Sequence, residues 1–175
     1  MNGFSARPDP SEYTPYYGKY IELVPDGDIL DTLERQGSDT AMLLGGVDPD
    51  RGEHRYAPGK WTLNQVLVHV MDTERIFAYR ALRFSRGDET PLPGFEQDDY
   101  IKHVANVRYH LSDLAAQFAR LRASNLDLFR GFTRDMLLEK GEASGNPISV
   151  RALLWLIAGH ERHHMKIIRV QYLTS

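Results

Sequence analysis

The sequence has no cysteine among its 175 residues. Disulfides, thiolate metal sites, iron–sulfur clusters and a cysteine nucleophile are therefore excluded. It also lacks an excess of either charge: 21 Lys and Arg stand against 24 Asp and Glu, a formal net charge of −3, so there is no basic field to hold a polyanion. Nucleic acid and anionic membrane surfaces are set aside as partners. No apolar run approaches the roughly 18 residues that a membrane helix needs, and mean hydropathy is −0.44. The opening MNGFSARPDPSEYTPYYGKY has neither the basic nor the apolar region of a secretory signal. The expectation is a soluble, cytoplasmic protein. Strand alternation and internal repeats are missing as well.

What is present is helical periodicity. A chain of this length suits one domain with one sizeable core, and the reading is a single domain over 1–175. Residues 1–24 carry Pro8, Pro10 and Pro15 among Phe4, Tyr13, Tyr16, Tyr17 and Tyr20. Prolines at that density predict an extended strap lying on the bundle or covering a dimer surface. Residues 25–175 are expected to form four helices.

The first helix spans about 28 to 45, with apolar Ile29, Leu30, Leu33, Leu43 and Leu44 and acids at its start. Thr62 and Gln65 form a capping box that opens a second helix running to about 86. A third is expected over roughly 98 to 131. After a long turn marked by Gly141, Gly145 and Pro147, Ser149 caps a fourth that runs to about 172. The fold class is all-α, a four-helix bundle. Its loops are long enough to cross the bundle, so the order of the helices stays open.

The seven histidines are the chemistry-bearing residues. On the fourth helix, at 100° per residue, His160, Glu161 and His164 of HERHH fall within the apolar stripe and His163 on its flank. An i,i+4 histidine pair can reach one cation. His69, in VLVHV of the second helix, is the candidate third ligand. His54, His103 and His110 read as solvated. Three imidazoles in one apolar core need a common explanation, because each buried without a partner costs about 1–3 kcal/mol. A divalent metal held by His69, His160 and His164 supplies one.

HERHH also fits the H-E-x-x-H pattern of zinc proteases. Only MKIIRVQYLTS follows it, with no third ligand, so that reading is set aside. Glu161 is a candidate proton acceptor, and Asp72, one turn beyond His69, a candidate to orient a ligand histidine. Arg80 and Arg83, with Arg86, form a row that can hold a carboxylate on a substrate or merely face solvent. Trp61, Trp155 and the aromatic helix residues are expected in the core, with one or two lining a pocket.

The segments YAPGKWTLNQVLVHVMDTER (56 to 75), RGDETPLPGFEQDDY (86 to 100) and AGHERHH resemble the DinB/YfiT-like superfamily of metalloenzymes. The specific part is a W-T-x-x-Q-V-x-x-H approach to His69 and the H-x3-H pair of His160 and His164. The resemblance implies a four-helix bundle binding nickel or zinc through those three histidines, an open metal position and a homodimer. It also implies one of two activities: transfer of a low-molecular-weight thiol (bacillithiol, mycothiol or glutathione) to a small-molecule electrophile, or metal-dependent hydrolysis with metal-activated water. A non-catalytic metal-binding stress protein is the remaining alternative. In the transferase reading sulfur must arrive with a cosubstrate, since the chain has none to offer as a thiol.

Overall fold

A computed structural model describes residues 3–105 and 107–174. Positions 1 and 2 of the expected strap, 106 of the expected third helix and 175 lie outside the described residues. In chain order the elements are α1 (Pro15–Ile21), α2 (Ile29–Gly45), α3 (Leu63–Ser85), α4 (Gln97–His103), α5 (Leu111–Arg130), α6 (Arg134–Leu138), the strands β1 (Lys140–Ala143) and β2 (Asn146–Ser149), and α7 (Val150–Ile167). The long helices α2, α3, α5 and α7 make a four-helix bundle. None of the described helices is long and apolar enough to cross a membrane.

The caps follow the sequence. Asp28 accepts from the Leu30 and Asp31 amides at the start of α2, Thr62 and Gln65 close the reciprocal box on α3, and Ser149 accepts from the Ala152 amide on α7. Each satisfies helix-terminal donors that would otherwise be orphaned, at about 1 kcal/mol apiece. Past α7, Ile168–Tyr172 continues as a wider turn, with the Leu173 amide bonded five residues back to the Ile168 carbonyl.

Three expectations are corrected. The N-terminal segment is not simply extended: Thr14 caps α1 and Pro15 sits in its first turn, where proline's missing amide costs nothing and its fixed φ favours the helix. The third helix is two, because the chain leaves helical geometry after His103 and re-enters at Leu111 with His110 at the N-cap. No proline or glycine marks that break. It is held by tertiary contacts: Asn64 Nδ2 of α3 donates to the Tyr109 carbonyl at 3.0 Å, and Ile101 is buried. The long turn near 141–147 contains a short antiparallel hairpin, Lys140 opposite Ser149 and Ala143 opposite Asn146. Ser144 and Gly145, with φ of 55° and 73°, form the positive-φ turn that two-residue hairpins favour.

The helix order is now fixed. α2 packs on α5, α5 on α3, α3 on α7 and α7 back on α2. The sequence neighbours α2 and α3 therefore stand on a diagonal of the bundle, as do α5 and α7, and long connections cross its ends. The core comprises two apolar clusters. One gathers Phe77, Phe84, Phe129 and the first turns of α7 up to Ala158. The other gathers Val66 to Met71, Phe118, Met165 and Ile168. Between them lies a polar layer, and the histidines are in it.

Candidate metal centre

His69 on α3 and His160 on α7 are 4% and 7% exposed. Nε2 of His160 lies 3.1 Å from Nε2 of His69 and 3.1 Å from Nε2 of His164. The ligand-type atoms of all three residues fall within 4.8 Å of one another. Burial drives the three imidazoles towards the neutral form: His69 is pushed down to about 4, His164 to about 3, and His160 well below its ordinary value, with its histidine neighbours adding to the effect.

This cluster fits a divalent ion. Neutral imidazoles are the ligating form, so no proton competes at neutral pH. Two nitrogens 3.1 Å apart would each reach an ion at about 2.0–2.1 Å with an angle near 100°, between tetrahedral and octahedral values. His163 lies outside the cluster, half-buried, with its ring edge-on to Tyr20 at 5.3 Å and to His164 at 5.0 Å.

The other sequence candidates have different surroundings. Glu161 points into a buried ion cluster. Its Oε2 accepts from Arg122 Nη2 at 2.8 Å and Gln36 Nε2 at 3.0 Å, and its Oε1 from Thr40 Oγ1 at 2.7 Å. Arg122 also forks onto both oxygens of Glu74, at 2.9 and 2.8 Å. Burial alone would lower the Arg122 pKa, but the two carboxylates outweigh it and raise it. Asp72 pairs with Arg75 at 3.0 Å rather than with a histidine, and burial raises its pKa.

Arg80 is buried and donates to the Pro93 carbonyl at 2.8 Å and to Ser144 Oγ at 3.1 Å. Arg83 is engaged by Asp88 and the Tyr79 hydroxyl. Neither guanidinium is presented as a free ligand clamp. His103 and His110 are exposed as expected. His54 is not fully solvated: it is half-buried, and its Nε2 is buried without a hydrogen-bond partner.

Two cavities reach different histidines of the cluster. One, of about 270 Å³, touches His69 and His160 and is walled by Tyr16, Tyr17 and Tyr20 of α1, Thr73 and Phe77 of α3, and Phe95 and Asp98. The other, of about 260 Å³, touches His164 and is walled by Tyr56, Lys60, Trp61, Tyr172 and, again, Asp98. Glu161 lines neither, only a third cavity between α2 and α7. Trp61 lies against His69 with ring centroids 5.1 Å apart, whereas Trp155 is 1% exposed in the core.

Sequence reasoning missed the tyrosines, Thr73, Phe77, Glu96 and Asp98. Thr73 and Phe77 had a signal, since they follow His69 by four and eight residues on one helical face. The tyrosines had none, because α1 reaches the site through a tertiary contact at Gly159. A Cβ on Gly159 would stand 2.1 Å from the Tyr20 carbonyl oxygen, so only glycine lets α1 lie directly over the turn that carries His160. Gly159→Ala is expected to displace α1, costing about 1–3 kcal/mol by overpacking while leaving the three histidines in place. A lowered Tm with unchanged metal content would show this.

YfiT from Bacillus subtilis, described as a probable metal-dependent hydrolase with an unusual four-helix bundle topology, superposes with a TM-score of 0.66 at 18% identity, over 94% of this chain and 93% of that one. The DinB-like protein YjoA from Bacillus subtilis gives 0.58 at 20% identity, over 81% and 87%. A mycothiol-dependent maleylpyruvate isomerase gives 0.64 at 19% identity, over 83% of this chain and 61% of that one. At these identities the likeness is one of fold. No curated protein matches in sequence. The DinB superfamily model, in contrast, matches residues 32–168, from early α2 to just past α7 and including all three histidines, and the chain belongs to that superfamily.

Proposed function

We propose that this protein is a metal-dependent enzyme that joins a low-molecular-weight thiol to a small electrophile, with His69, His160 and His164 as ligands of one nickel or zinc ion. The observation that carries the reading is the pair of cavities, joined at Asp98, that reach different histidines of one cluster. Two molecules can be held beside such a centre, which a reaction between two organic substrates requires. A divalent ion bound there supplies a Lewis acid that lowers the pKa of a thiol beside it towards neutrality.

The chain's own residues do the rest. The histidines stay neutral and hold their rings by mutual edge-on packing, at centroid distances of 4.5 to 4.9 Å. Trp61, Tyr17 and Tyr20, each half-buried, wall the approach. Glu161 is a positioning residue in this scheme: with both oxygens engaged by Arg122, Gln36 and Thr40, it fixes the turn of α7 that carries His160, and it is not the proton acceptor.

The test is direct. Protein purified without chelator is expected to hold about one metal ion per chain, and His160→Ala to lose it. The loaded protein, given a panel of thiols and electrophiles, is expected to yield S-conjugates, with the variant inactive. Hydrolysis of esters or amides without any thiol dependence would replace transfer by hydrolysis. A loaded protein with neither activity would leave a binding protein.

A further inference from the structure

The cavity against His69 and His160 has a charge pattern that metal binding does not require. Its lining includes the exposed carboxylates of Glu96 and Asp98 and, among the described residues, no lysine or arginine. Neither carboxylate is hydrogen-bonded or ion-paired among the described residues. Lys102 feels the charge of Asp98 but makes its ion pair with Asp99, at 2.8 Å. Lys60, which lines the other cavity together with Asp98, has its Nζ 5.9 Å from the Tyr56 ring centroid, and the remaining cations near this cavity are engaged by other groups. Lys19 Nζ lies over the rings of Tyr16 and Tyr20, at 3.9 and 4.9 Å from their centroids. Arg80 is engaged by Pro93 and Ser144.

A second, independent observation lies deeper in the same cavity. Thr73 is 2% exposed, and its Oγ1 is buried without a hydrogen-bond partner. A helical threonine ordinarily satisfies its hydroxyl on the carbonyl four residues back, which here belongs to His69, and that bond is not made. An unpaired buried hydroxyl costs about 1–3 kcal/mol, a penalty that a ligand's polar atom would remove. The cavity thus has an anionic rim, aromatic walls and one vacant hydrogen-bonding group beside the histidines.

We propose that this cavity binds a small substrate with a primary ammonium group at one end of a flat apolar body and a hydroxyl or comparable polar atom at the other. Glu96 and Asp98 take the ammonium, Tyr20 and Phe95 flank the body, and Thr73 Oγ1 pairs with the inner polar atom. The inference deepens the enzyme reading above and rests on it for what happens to the bound molecule. The binding itself needs no metal.

Tyramine, its neutral analogue 4-hydroxyphenylethanol and its anionic analogue 4-hydroxyphenylpropionate are the probes, measured by calorimetry on the full metal-free chain. Tyramine is expected to bind at least tenfold more tightly than the carboxylate, with the alcohol between. In the Glu96→Gln, Asp98→Asn double variant that preference is expected to collapse, with binding of the alcohol unchanged. Thr73→Val is expected to weaken tyramine several-fold and to leave phenethylamine, which has no inner hydroxyl, unaffected. Equal binding of amine and carboxylate, or a preference that survives the double variant, would overturn the inference. Cobalt(II) loading read by its absorption bands, with His160→Ala as control, tests the metal reading separately. Amine selectivity without histidine-dependent cobalt binding would sink that reading and keep this inference, and the converse would do the opposite.

Discussion

Arg122→Met is expected to destabilise the protein by about 3–5 kcal/mol, the range seen when one partner of a buried ion pair is removed. The methionine keeps most of the apolar stem that packs beneath Gly37 of α2, where a Cβ would stand 2.8 Å from Arg122 Cγ. What it removes is, among the described residues, the one cation paired with both Glu74 and Glu161, which are 3% and 1% exposed. Two carboxylates would then be left in the polar layer with hydrogen bonds but no counter-charge. Denaturant unfolding of the variant at pH 7 checks the size. A variant as stable as the parent would show that the ion cluster does not hold α2, α3, α5 and α7 together. Adding Glu161→Gln to it should recover part of the loss.

The second large effect is the acid sensitivity of the metal-free protein. Folded-state pKa values of about 4 for His69 and about 3 for His164 lie below the roughly 6.5 of an unfolded histidine. Between those limits the unfolded chain binds more protons than the folded one, so stability falls as pH falls. His69 alone contributes about 1.4 kcal/mol for each pH unit crossed between 6.5 and 4, and His160 and His164 add to it in the same direction. Above pH 6.5 the contribution is fully present and flat. A bound divalent ion should hold the fold to lower pH until protons displace it. Thermal melts from pH 8 to 4.5, with chelator and with added zinc, measure this. In the metal-free protein, His164→Phe is expected to flatten the acid limb, and a flat profile in the parent would contradict the burial of three neutral imidazoles.

Much of this architecture is legible in the sequence because the signals are local. Asp28, the Thr62 and Gln65 box, Ser149 and the spacing of His160 and His164 act within one or two turns. The order of the histidines on α7 could be read from a helical wheel for the same reason. Glu161 shows where the wheel stops being informative. It is 100° from His160, yet α7 is buried on nearly every side from Ala152 to Glu161, so burial does not mean a shared face. His160 turns to α3, and Glu161 to α2 and α5. The break between α4 and α5 and the course of α1 were illegible for a related reason. Asn64 donates to the Tyr109 carbonyl, and Gly159 admits Tyr20, through contacts between segments far apart in the chain. Pro15 misled because a proline that excludes a helix interior favours a helix's first turn.

The diagonal placement of α2 and α3 bears on how the molecule assembles. In a bundle of successive antiparallel hairpins each pair of neighbours can form as soon as it is synthesised, but here the most extensive packing is of α2 with α5 and of α3 with α7. His69 and His160 of the centre are 91 residues apart, and the ion cluster joins Gln36 to Glu161 across 125. Few of the contacts that matter can be made early. Such a chain carries the loop-closure cost of a β-rich topology despite being helical, and should fold more slowly than helical bundles of its size. Until α7 docks, the face of α3 that packs against it would stay uncovered, so the risk of aggregation is concentrated in the interval before that helix arrives.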